Sequence, residues 1–120
     1  MGPHMALPKT LSDFTQMLRS EVERADMTSW RSLRKNAQAY IENMRTYVKP
    51  TPLIDEACAT ALTRCREYAD EIADRGLLFS VNDAATQQAR NLTLNAIDEL
   101  ESRLHDARPS DTANHLALGW

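Results

Sequence analysis

At 120 residues, with 42% hydrophobic and 26% charged side chains, the chain can bury one core without staples. A net charge of −3 gives no reason to expect nucleic acid or an anionic membrane as the default partner. No stretch approaches the roughly 18 apolar residues of a membrane span, no secretory leader is expected, and an intracellular, cytoplasmic location is.

Residues 1–5, MGPHM, read as a cloning remnant, residues 6–108 as one helical domain and residues 109–120 as a tail. A first helix is predicted from Thr10 or Ser12 to about Ala25, with Leu11, Phe14, Met17, Leu18 and Val22 on one face. Its Arg19, Glu21, Glu23 and Arg24 read as solvated. Asp26 or Thr28 is expected to cap a second helix that runs to about Val48 and ends at Lys49-Pro50, since the residue before proline avoids helical geometry. Trp30, Leu33, Ala37, Ile41, Met44 and Val48 form its apolar stripe. The break between the two helices is brief, and a single long bent helix is the alternative.

The second helix also carries a basic stripe, Arg31, Arg34, Lys35, Arg45 and Lys49, five cations against one acid, Glu42. The third helix, Thr51 to Gly76, is the reverse, with three cations against six acids. It has the clearest ends in the chain. Thr51 caps it, Pro52 occupies the first helical position, Asp55 suits the positive end of the helix dipole, and Gly76 can take the left-handed conformation that stops it. Ile54, Cys58, Ala61, Cys65, Tyr68 and Ile72 alternate by four and three, the heptad seam of a helix packed lengthwise on others. Leu77 is expected to fold back onto Ile72, and the apolar link Gly76–Phe79 to plug the end of the bundle.

Ser80 is expected to open a fourth helix with Asp83 three residues on, close to a capping box, and Phe79 with Ala84 to staple it. This helix is predicted to reach about Ala107. Val81, Ala85, Ala89, Leu92, Ala96, Leu100, Leu104 and Ala107 form its inner side, with Ile97 at the edge. Beside them runs an uncharged strip, Gln88, Asn91 and Asn95, with Leu94 pointing away from the core. Surface helices normally carry Glu and Lys at such places, and missing charge can mark a covered surface. The tail ends in His115–Trp120, and Trp120 is expected to dock on the bundle or on a partner.

Chemistry is sparse. The two cysteines, seven residues apart on one helix, lie roughly 10 Å apart along its axis, too far for a bridge. They read as small core residues, reduced as in a cytosolic setting. There is no metal-ligand spacing, no glycine-rich phosphate loop and no oriented nucleophile, so no metal, no cofactor and no enzyme activity are expected. The fold expected is an all-α, antiparallel up-down four-helix bundle, with three long helices that dimerise as the alternative. The expected role is a non-catalytic protein-interaction or assembly module that uses the basic stripe, the amide strip or Trp120. The partner would be a protein, an acidic one for the stripe, or a second copy of the chain. A small nucleic-acid-binding or regulatory protein using the same stripe, and a compact inhibitor or immunity-type protein, are the rivals.

Overall fold

The structure, a computed structural model, describes residues 10–110. Four helices, α1 (Leu11–Arg24), α2 (Trp30–Thr46), α3 (Pro52–Arg75) and α4 (Ala84–His105), pack in cyclic order: α1 on α2, α2 on α3, α3 on α4 and α4 back on α1. Short links force each helix to run opposite to the one before it, which is the up-down four-helix bundle. No strand occurs among the described residues, and no helix there is long and apolar enough to cross a membrane.

Local signals explain most helix ends. Thr10 and Asp13 form a reciprocal capping box at α1, with N–H to oxygen distances of 3.1 and 3.2 Å. Thr51 Oγ1 accepts from the Ile54 N–H, and Pro52 follows at a position that needs no hydrogen bond. Gly76, at φ +51°, ends α3 in the region that disfavours side chains. The whole α3 seam, from Ile54 to Ile72, is buried in a core shared with Leu18, Leu33, Met44, Ile97, Leu100 and Leu104.

α1 and α2 are separate helices, not one bent one. The Asp26 carboxylate organises the break by accepting from the Thr28 and Ser29 N–H groups and the Thr28 hydroxyl, which also holds its pKa below the ordinary value. Neither Asp26 nor Thr28 caps α2, because both are spent on this turn. Ser29 stands at the cap position without a capping bond, and no acid occupies the first turn of α2.

The fourth helix departs furthest from expectation. Ser80 does not open it. The Ser80 hydroxyl accepts from the Asn82 N–H in a turn, while Asp83 caps α4 through the Thr86 N–H. The inner face is also rotated in its first half. Val81, Ala85 and Leu92 are exposed, Thr86 and Thr93 are buried, and Ile97 lies at the centre, not the edge. Thr93 can be buried because its hydroxyl donates to the Ala89 carbonyl at 2.8 Å and also reaches that of Arg64. Leu94 does not point away but is half-buried against the core. Nor does the α3–α4 link plug the bundle. Gly76–Leu78 winds as a 3₁₀ turn that leaves Leu77 85% and Leu78 83% exposed, and only Phe79 packs inward.

Ion pairs tie the helices laterally. Arg19, read as solvated, lies between Asp98 at 2.8 Å and Glu101 at 2.5 Å, and Thr15 donates to Glu101 from the buried side. The Arg19 hydrogen bond, ahead of that from Thr15, holds the Glu101 carboxyl below its usual value against the opposing effect of burial. A lowered folded-state pKa gives stability that is present above the unfolded value, about 4.3, and lost as pH falls through the folded one. Arg19→Ala is therefore expected to cost about 1 kcal/mol at pH 7, a loss that shrinks as pH falls below the unfolded value and through the folded one, in urea unfolding followed by circular dichroism.

At the end of the bundle where the described chain begins and ends, Arg108–Ser110 is fixed to the α2–α3 link. The Lys49 N–H donates to Arg108 at 2.8 Å and the Ser110 N–H to Tyr47 at 3.0 Å. Residues 111–120, and with them Trp120, lie outside the described residues.

Candidate functional site

α2 turns one edge toward α3, and charge decides how that edge is used. Arg34 pairs with Asp70 at 2.6 Å and Arg45 with Asp55 at 2.8 Å. Two members of the basic stripe thus select α3 as neighbour and are partly neutralised in doing so. Arg31, Lys35 and Lys49 form no ion pair with any described residue. Lys49 stands apart from the other two, at the opposite end of α2, beside Arg103, Asp106 and Arg108.

The remaining cations converge near the start of α2. Trp30, Arg31, Arg34, Lys35 and Gln38 line an open cleft of about 380 Å³ with Arg66 of α3. The Arg31 guanidinium lies over the Trp30 ring, 4.5 Å from its centroid, which holds a long side chain in place by cation–π attraction. Trp30 packs its inner side on the core. Arg66 donates to Gln38 Oε1 at 3.0 Å, and Gln38 donates on to Glu42 at 3.0 Å. Arg66 is fixed by an amide and retains its full charge. The net negative charge of the third helix conceals it, since it is one of three cations beside six acids there. Its place four residues before Asp70, on the edge facing α2, was the available signal.

The first turn of α2 contains no acid of its own, although the Asp26 carboxylate in the turn before it accepts from the Ser29 N–H at the helix start. Glu21 reaches the same turn only from the α1 side, where it accepts from Ser32 at 3.2 Å and Asn36 at 2.9 Å. The cleft is therefore a concave, water-open surface with three cations free of carboxylate partners and a fourth shared with Asp70. Guanidinium forks in such a place suit carboxylates and phosphates.

The amide strip lies elsewhere. Gln88, Asn91 and Asn95 are exposed on the outward face of α4, which is diagonal to α2 in the bundle. Leu94 drops out of it by packing inward.

Among the described residues no group of three His, Cys, Asp or Glu side chains is placed to hold a metal ion. Cys58 and Cys65 are buried, and burial pushes their thiols up to about 11 and about 12. Only the thiolate attacks electrophiles, so neither is poised as a nucleophile. Both are expected to stay unmodified by Ellman's reagent at pH 8 in native protein and to react promptly in denaturant. No family model matches the chain, and neither the curated proteins nor the solved structures contain a significant match to it.

Proposed function

We propose that the chain is a non-catalytic interaction module that captures an acidic segment of a partner protein in the cleft between α2 and α3. One observation carries this reading. Arg31, Lys35 and Arg66 gather beside Trp30 without carboxylate partners, while the neighbouring Arg34 and Arg45 are already paired. Charges arranged so act mainly on association rate and selectivity. They would choose acidic segments over neutral ones and bind them less well as salt rises.

A nucleic-acid strand offers the same negative charge, but it usually gains affinity by stacking bases on an open aromatic face. Here Arg31 lies over a face of Trp30, and the ring is already partly packed against the core. The experiment is a fluorescence-anisotropy titration with three labelled probes: a peptide rich in Glu and Asp, a peptide of equal length with Gln and Asn instead, and a single-stranded oligonucleotide. Salt-sensitive binding of the acidic peptide alone is the expected result. Binding of the oligonucleotide in preference would transfer the cleft to nucleic acid, and no binding of either at low salt would remove it as a site.

A further inference from the structure

The outward face of α4 carries no charge over its first three turns. Ala84, Gln88, Asn91, Leu92 and Asn95 recur at helical spacing opposite the buried Thr86, Thr93 and Ile97, and all five are exposed. Above them the next charge on this face is Glu99, held by Arg103 at 2.8 Å. Below them the chain adds the exposed Val81 and the two leucines of the 3₁₀ turn. That turn is held firmly. Gly76 sets its entry, Phe79 anchors its exit, and Arg75 pairs with both Glu71 and Asp83 across its base. The bundle leaves the face open, because α1 ends at Arg24 and its ion pairs with α4 are made at Asp98 and Glu101.

We propose that this face docks a second copy of the chain, with the two α4 helices antiparallel about a two-fold axis at Gln88. The exposed uncharged side chains of this face, with Val81, amount to on the order of 400 Å² per copy, which suits a weak, concentration-dependent contact below the ~800 Å² per partner of a standard interface. The sequence is also self-complementary in this register. Antiparallel pairing about Gln88 sets the small Ala84 against Leu92 and Ala85 against Asn91, so the backbones can approach with leucine filling the gap. Gln88 then meets its own copy, and a primary amide can donate and accept at once. Charge points the same way. Two identical surfaces bring like charges together unless they carry none, and the chain is net negative. The antiparallel helix dipoles add a small favourable contribution. The proposal does not rest on the basic cleft, which lies on the diagonal helix.

The test is sedimentation velocity of the full chain up to about 500 µM, beside Leu92→Asp and Gln88→Cys variants. The expected result is a concentration-dependent dimer whose dissociation constant rises at least about tenfold in Leu92→Asp, with helicity unchanged. Mild oxidation should cross-link Gln88→Cys to itself but leave Lys35→Cys, on the other side of the bundle, uncross-linked. The buried native cysteines do not interfere. A chain that stays monomeric throughout the range overturns the proposal. So does a dimer that is indifferent to Leu92→Asp and fails to cross-link through Gln88→Cys.

Discussion

Ile97→Ala is expected to destabilise the bundle by about 3 kcal/mol, whereas Leu92→Ala should change the stability of dilute protein by less than about 0.5 kcal/mol. Both positions are apolar, five residues apart on one helix, and a reading of α4 by residue type gives Leu92 the better place. The packing reverses this. Ile97 is fully buried between α4 and its neighbours, so truncation removes transfer energy and leaves a cavity that fixed helices can only partly close. Leu92 is 40% exposed on the opposite side. Urea denaturation of the two variants at low micromolar concentration measures the difference directly. Equal losses at the two sites would rule out the rotation of α4 that buries Ile97 and exposes Leu92.

Reversing Arg31, Lys35 and Arg66 together to Glu should weaken acidic-peptide binding by at least about 30-fold, or about 2 kcal/mol, with the circular dichroism spectrum unchanged. None of the three makes an ion pair that the bundle needs, so their loss should fall on the ligand. Arg34→Glu is the informative contrast. It would place a new carboxylate against Asp70, which Arg34 now contacts at 2.6 Å, and should therefore register in stability as well as in binding. Exposed pairs of this kind are worth about 0.2–1 kcal/mol, so the stability change should be small. A triple variant that binds the acidic peptide as well as the parent would show that the cleft is merely a solvated edge.

These two expectations mark how far the sequence reached. By itself it determined where α1 begins and where α3 begins and ends, because those signals act within one turn, whereas it left the break between α1 and α2 open and set the start of α4 too early. Thr10 with Asp13, Thr51 with Pro52, and Gly76 all perform the local chemistry their residue types imply. It also determined the buried seam of α3, since a heptad repeat sustained from Ile54 to Ile72 leaves one rotation that buries every member. A net positive second helix beside a net negative third was legible too, and Arg34–Asp70 and Arg45–Asp55 realise that complementarity.

Tertiary structure decided what periodicity left degenerate. From Ala84 to Asn91, alanines and a threonine alternate with amides, and no strong apolar residue fixes the rotation. Ile97, Leu100 and Leu104 set it from farther along the helix, and Thr93 follows them inside because two carbonyls stand ready to accept its hydroxyl. Which cations remained free was likewise beyond the sequence. Arg19 found partners on a helix some 80 residues away in the chain, at Asp98 and Glu101, while Arg66 met an amide and kept its charge. Whether a long charged side chain meets a carboxylate depends on the rotation and spacing of two packed helices, and only the packing of all four fixes those.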